Sequence, residues 1–338
     1  MGFTVKSKGL LTLIQGSPRI GYQQYGVSMS GAMDSYSHRL GNILLGNKED
    51  EASLEILIMG PTLLFDKPSK IAITGGDLSP RINNIPIKMW KSYIVNSGDI
   101  LSFDDLKNGC RSYISFEGGI DVAYVMESKS TYTKANLGGY EGRPLKENDY
   151  INLDNLKSNT INTIDDIYIP IFKNEITLRL VKGPQDDMFS DEEYQKFISG
   201  EYFVTDECDR MGYRLDGEPI THLRGADIIS DGIAFGAIQI PGHGKPIIMM
   251  ADRQTVGGYT KIANVISTDL YKLAQAKPGD KISFEEINIY QSHELLKLYE
   301  KEIENVKNNM KSQEVLKNRN FNITIDDVLF KTLVEEIK

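Results

Sequence analysis

The chain is poor in the groups that carry the commonest chemistries. Of its 338 residues two are cysteine, four histidine and one tryptophan. Cys110 and Cys208 make neither a metal-ligand pair nor a disulfide framework, and a single long-range disulfide is the alternative to two free thiols. Two free thiols suit a reducing cytoplasm, the expected location. His38, His222, His243 and His293 are isolated, and no H-E-x-x-H pair exists, so no metal site is expected. Long apolar runs are missing too: Ile247–Ala251 falls far short of the roughly 20 residues a bilayer needs, and no membrane role is expected. The opening stretch MGFTVKSKGLLTLIQG has no small-residue cleavage site, so no signal peptide is expected. Basic charge is scarce: 38 Lys and Arg against 47 Asp and Glu leave a net charge of −9, with no basic block. That balance argues against a nucleic-acid partner. There is no G-x-x-x-x-G-K-[ST] phosphate loop, no G-x-G-x-x-G and no G-x-S-x-G elbow. Met310-Lys311 lacks the tetrapeptide context of a biotin carrier, so no biotin is expected to be attached to this chain.

Glycine, in contrast, is frequent, with 30 residues, often paired as at Gly75-Gly76, Gly118-Gly119, Gly138-Gly139 and Gly257-Gly258. Short β-like runs lie between such turns, at 71–74, 92–95, 112–116, 177–181 and 247–250. Many short strands with glycine-rich turns predict a mainly β fold with a few helices, a barrel or sandwich rather than a doubly wound sheet. Helices are expected at 36–45, 191–198, 265–275 and 295–316. Gly98-Asp99-Ile100-Leu101-Ser102-Phe103 returns as Gly279-Asp280-Lys281-Ile282-Ser283-Phe284. Either Gly-Asp turns are simply common, or two related β-rich halves meet near 155–167. The expected division is 1–165, 166–288 and a helical and mixed extension, 289–338. The last segment, FNITIDDVLFKTLVEEIK, reads as a hairpin turning at Asp326-Asp327, with a helix capped by Asp326 as the alternative.

Four stretches gather polar residues beside apolar runs: Gln15–Gln23, the helix start from Ser30, Cys208–Leu215, and Gly236–Gly244 running on to Ala251–Tyr259. Arg grips a carboxylate with two parallel hydrogen bonds, Gln reads an amide, and Asp orients an Arg or takes a proton. The Asp209-Arg210 and Asp252-Arg253 dipeptides either serve a pocket or merely stitch loops together. His243, between glycines, is an acid–base candidate or a surface turn residue. Asp186-Asp187 reads as a helix start more readily than as a cation site. Trp90 and Tyr93 read as a packed pair in a barrel wall.

These motifs together resemble the KipA/allophanate hydrolase subunit 2 family, the biotin-dependent carboxyltransferase-like family that includes the C subunit of 5-oxoprolinase. The resemblance rests on Arg19-x-Gly21-Tyr22-Gln23, Ser30-Gly31-Ala32-Met33-Asp34, Leu54-Glu55, Gly183-Pro184-Gln185-Asp186, Asp209–Leu215, Gly236–Gln239, Asp252–Tyr259, Asp269, Gln275 and Pro278-Gly279-Asp280. It implies two cyclophilin-like β-barrel domains. It implies the C subunit of an ATP-dependent complex that opens 5-oxoproline to glutamate, with a KipI-like B subunit and a LamB/YcsF-like A subunit, ATP and magnesium being used by the complex. Alternatives are carboxyl transfer from carboxybiotin to urea or a related amide, and KipA-type regulation through binding of KipI. The implied catalytic residues are Asp34, Asp209, Asp252 and Arg253. The implied substrate-binding residues are Arg19, Ser30, Gly31, Arg210, Gln239, His243, Gln254, Thr255 and Tyr259, whereas His38 is expected to be structural. The chain departs from the family at Gly16, where an Asp is usual, at Pro18, where a Gly is usual, and at Thr260, where a Pro is usual.

Overall fold

A computed structural model describes residues 2–154, 156–325 and 328–337. The architecture is mostly β with four α-helices, α1 (Ser35–Ile43), α2 (Asp191–Ser199), α3 (Leu270–Ala274) and α4 (Ile289–Asn309), among the described residues. None of these helices is long and apolar enough to cross a membrane.

The C-terminal half closes into a seven-stranded barrel. Its strands run, in spatial order, Glu175–Lys182, Lys281–Glu286, Tyr202–Val204, Gly212–Asp216, Ile247–Met249, Ala237–Ile240 and Val256–Val265, and the pair Leu180 and Val265 completes the ring. An eighth strand, Asp227–Gly232, hangs from the open end of Val256–Val265 as an exposed ribbon. Alternation sets which residues enter the barrel: Ile176, Leu178 and Leu180 point in, while Glu175 and Thr177 are exposed. The N-terminal half wraps its own core with two sheets. One has six strands, centred on Gly2–Ser7 and Thr62–Phe65; the other has eight, centred on Asn108–Phe116 and Ser69–Asp77. Within that core Phe3 stacks on Phe116 and meets Phe65 at a tilt. Met33 crosses the divide: it belongs to N-terminal sequence but packs in the barrel's core.

The Gly-Asp echo is a structural equivalence. Gly98 and Gly279 have φ of +90° and +87°, a conformation that favours glycine. Gly98 N–H donates to Phe65 O and Gly279 N–H to Val204 O, both at 2.8 Å. Asp99 and Asp280 accept from the backbone N–H three residues upstream, Asn96 and Lys277. The same turn therefore launches one strand in each half.

Two helices differ from the sequence reading. Of the helix expected at 265–275, Val265 ends the strand Val256–Val265, Ser267–Asp269 form a short 3₁₀ turn, and α3 shrinks to Leu270–Ala274. Helix α4 starts earlier, at an Asn288–Gln291 capping box, and stops at Asn309. Beyond it Lys311–Ile325 pairs with Val328–Ile337 as the expected hairpin, though much longer than 321–338. Its base extends the N-terminal sheet through Thr160–Thr163. The turn expected at Asp326-Asp327 lies outside the described residues. Trp90 and Tyr93 are both buried but in different clusters, Trp90 beside α1 and Tyr93 in the N-terminal core, rather than as one packed pair.

Candidate functional site

The residues singled out in the sequence fall into two neighbouring groups. One is a buried junction between the halves. The other is a cavity in the face of the C-terminal barrel.

The junction begins at Ser30 and Gly31, both left-handed, with φ of +54° and +93°. That kink turns the chain onto the barrel, where Ser30 N–H and Ser28 Oγ both donate to Ala251 O, at 3.1 and 3.2 Å. Arg210 crosses in the other direction. Its Nη2 donates to Gly31 O at 2.7 Å, its Nε and Nη2 clasp Asp252 at 2.9 and 3.1 Å, and its Nη1 reaches Glu55. Glu55 also accepts from Met33 N–H and Tyr113 Oη, both at 2.8 Å. Burial alone would raise the Glu55 pKa, but Arg210 and Arg111 outweigh it and hold the carboxyl below its ordinary value. All members of the triad Glu55–Arg210–Asp252 are nearly sealed from water. Two Asp-Arg dipeptides are present, yet the pairing is crossed: Arg210 takes Asp252, while Asp209 satisfies its own turn by accepting from Met211 and Gly212 N–H. The stitching role left open for these dipeptides is thus the one that Arg210 and Asp252 have.

Asp34 caps α1. Its carboxylate accepts from Ser37 N–H at 2.9 Å, from Ser37 Oγ at 2.6 Å and from Gln275 Nε2 at 2.7 Å. Burial outweighs these bonds and raises its pKa from 3.8 to about 6. The folded state thus holds the Asp34 proton more tightly than the unfolded chain does. This contribution to stability is complete below pH 3.8, declines as pH rises, and is lost above about 6. We predict that the stability gap between the wild type and Asp34→Asn moves in the variant's favour by about 3 kcal/mol from pH 3.5 to 7.5. Urea unfolding of both proteins at several pH values measures it, and a gap that does not change with pH would refute the assignment.

Two further arginines are buried without a carboxylate in hydrogen-bond contact. Arg19 donates to the carbonyls of Val125 and Ser130, at 3.1 and 2.7 Å, while its Nη1 has no partner among the described residues. Arg253 donates to Ile233 O and Met250 O and lies over the Phe235 ring. Desolvation pushes its pKa down to about 10. Ser30 Oγ is also buried without a partner among the described residues.

The cavity measures about 230 Å³, and its walls include Asp209, Met211, Gln239, Gln254, Gly257 and Tyr259. That is below the roughly 300–1,000 Å³ of sites for drug-sized ligands, so it suits a small metabolite. Its floor is apolar, from Ile233, Ile247 and Met249. Gln239 is only 4% exposed, and its Nε2 has no hydrogen-bond partner among the described residues. A buried donor without a partner costs about 1–3 kcal/mol, which a ligand carbonyl would return. Gly257 leaves the space beside this donor free of a side chain: a Cβ there would sit 2.9 Å from Nε2.

The structure thus brings Arg19, Ser30, Gly31, Asp34, Arg210, Asp252 and Arg253 to the junction, and Asp209, Gln239, Gln254 and Tyr259 to the cavity. Thr255 lies beside the cavity and contributes its carbonyl to Ile233 N–H. His243 joins neither group. It is exposed in the turn Pro241–Gly244, where Nδ1 accepts from Lys245 N–H, and it borders a separate depression with Asp216 and Lys245. His38 is buried, its Nε2 2.9 Å from Glu51 O, as a structural residue should be. At Thr260, backbone N–H bonds Ala226 O and Oγ1 bonds Ile240 O; a proline would lose both contacts. Sequence reasoning missed Glu55 as a site residue, although a glutamate inside the buried run Ser53–Leu57 was a usable signal.

A family model described as the carboxyltransferase domain, subdomain A and B, matches residues 25–286. The chain belongs to this carboxyltransferase-domain family. Among its relatives, the 5-oxoprolinase C subunit of Haemophilus influenzae is 34% identical over 285 residues, covering 83% of this chain and 90% of that protein. The 5-oxoprolinase C subunit of Escherichia coli is 33% identical over 276 residues, covering 82% of this chain and 88% of that one. The solved urea carboxylase of Kluyveromyces lactis superposes with a TM-score of 0.84 at 32% identity, over 90% of this chain and 29% of that larger protein. The junction and the cavity described above both lie within the carboxyltransferase-domain match, apart from Arg19. The α4 helix and the long hairpin lie outside it.

Proposed function

We infer that the chain is the C subunit of a 5-oxoprolinase complex, an ATP-dependent cyclic-amide hydrolase that opens 5-oxoproline to glutamate. The observation that carries this reading is the near end-to-end likeness to the 5-oxoprolinase C subunits, 90% of the Haemophilus influenzae protein being covered. The cavity is consistent with it. A small lactam would place its carbonyl oxygen on Gln239 Nε2, with Tyr259 and Gln254 beside the ring. Ring opening breaks the lactam C–N bond and adds water across it, the nitrogen leaving as an amine. A nucleoside triphosphate does not fit a cavity of about 230 Å³, so no ATP step is routed through it. Nucleotide handling is assigned to the partner proteins, a KipI-like B subunit and a LamB/YcsF-like A subunit, in the cytoplasm.

A second reading is carboxyl transfer from carboxybiotin to urea or a related amide, favoured by the superposition on urea carboxylase. A third, KipA-type binding of KipI, needs only a surface. The test is co-expression with candidate A and B subunits and an assay for glutamate released from 5-oxoproline with ATP. Stoichiometric ATP-dependent glutamate release is expected. Carboxylation of urea in the presence of a biotin carboxylase and carrier, without lactam opening, would transfer the assignment to the second reading.

A further inference from the structure

Four of the cations near the cavity and junction are already engaged. Arg210 is held between Glu55 and Asp252. Arg19 and Arg253 are buried against backbone carbonyls outside the cavity wall, Arg19 Nη1 alone lacking a partner among the described residues. Arg214, in the cavity wall, pairs with Glu207 at 3.4 Å. Of the arginines, Arg210 is taken by two carboxylates, and Arg253, whose Nη2 meets Met29 Sδ at 3.3 Å, is buried outside the cavity wall.

Lys134 is different. It comes from the N-terminal half, in the short 3₁₀ turn Thr133–Ala135, and it is exposed. Its Nζ contacts Met211 Sδ, and Met211 is part of the cavity wall. Among the described residues no carboxylate pairs with it. A thioether is a weak acceptor, so Nζ can exchange it for a carboxylate at little cost. The N-terminal half thus delivers an ammonium to the rim of a cavity built by the C-terminal half. Gln239 supplies the second donor, neutral, buried and without a partner among the described residues. The carboxylate of Asp209, also in the wall, disfavours any negative group on the ligand that Lys134 does not hold.

We propose that Lys134 is the specificity-determining anchor of this cavity, holding the carboxylate of a small monoanionic cyclic amide whose carbonyl accepts from Gln239. The proposal rests on the cavity being the substrate site of the function proposed above. It separates carboxylate-bearing lactams from neutral amides such as urea, which give Lys134 nothing to hold.

The test compares 5-oxoproline with 2-pyrrolidinone, the same lactam without its carboxylate. Calorimetry on the full chain, and steady-state kinetics on the complex reconstituted with its A and B subunits, read the two ligands. The wild type is expected to favour 5-oxoproline by about tenfold to a hundredfold, the scale of a charge-assisted hydrogen bond. Lys134→Met should abolish that preference, leaving 2-pyrrolidinone affinity unchanged, and should raise KM for 5-oxoproline with kcat largely kept. Lys134→Arg should restore most of the preference. Because Lys134 is exposed, unchanged melting of both variants is expected. Equal binding of the two lactams by the wild type, binding of neither by chain or complex, or an unaltered preference in Lys134→Met overturns the proposal. The two readings fail separately. A carboxylate preference lost in Lys134→Met without any glutamate production leaves the anchor standing and removes the 5-oxoprolinase assignment. Glutamate production with an unchanged KM in Lys134→Met does the reverse.

Discussion

Arg210→Ala is expected to destabilise the protein by about 3–5 kcal/mol, because it leaves Glu55 and Asp252 buried without their counter-charge. In thermal unfolding this corresponds to a drop on the order of 10 °C. The loss is far greater than the roughly 0–1 kcal/mol of an exposed pair, such as Lys297 with Glu294, both of whose side chains are about 70% exposed. The triple variant Glu55→Leu, Arg210→Met, Asp252→Leu tests the cause. It removes all three charges together, so it should recover part of the lost stability, less what Met33 N–H and Tyr113 Oη lose with Glu55. If Arg210→Ala melts within a degree or two of the wild type, the triad does not hold the halves together.

Gln275→Ala is the second large effect, about 4 kcal/mol in urea unfolding. Gln275 is 3% exposed and works as a four-bond clip. Its Oε1 accepts from Cys110 and Arg111 N–H, both at 2.9 Å, and its Nε2 donates to Asp34 Oδ2 at 2.7 Å and Arg111 O at 2.8 Å. Alanine strands two buried backbone donors, at about 1–3 kcal/mol each, and takes a donor from Asp34. Gln275→Glu separates the terms. It keeps the acceptor but sets a second carboxyl against Asp34, so it should be tolerated better at pH 5 than at pH 8. Equal destabilisation at both values would show that the two carboxyls do not interact.

Much of the fold was legible because its signals are local. Gly98-Asp99 and Gly279-Asp280 announce their turns through glycine's φ and the aspartate's reach to its own backbone. Asp34 caps α1 at the expected helix start, whereas α2 is capped by Ser190 and the expected start at Asp186-Asp187 is only a short 3₁₀ turn. The site was less legible because its contacts are not local. Arg210 sits beside Asp209 in sequence but binds Asp252, 42 residues on, and Glu55, 155 residues back. No periodicity encodes such a pairing. Gln239 was legible as a Gln near a strand end, but its missing partner emerges only from packing. Lys134 carried no signal at all: it is a lone lysine in a loop whose importance comes from the Met211 that folding places against it. At His243 the glycine neighbours left chemistry and a surface turn both open, and the structure has His243 in a surface turn.

Met33 has a consequence for inheritance. It is 1% exposed and shares the barrel core with Leu178, Ile238 and Ile262, although the chain around it is N-terminal. A gene crossover near residue 160, joining this first half to a relative's second half, would import a barrel never fitted to this methionine. Close packing punishes such a mismatch in either direction, as a cavity or as an overlap. The two halves, though each has a core of its own, are therefore expected to be inherited as one unit, with side-chain volumes around position 33 drifting together across the whole gene.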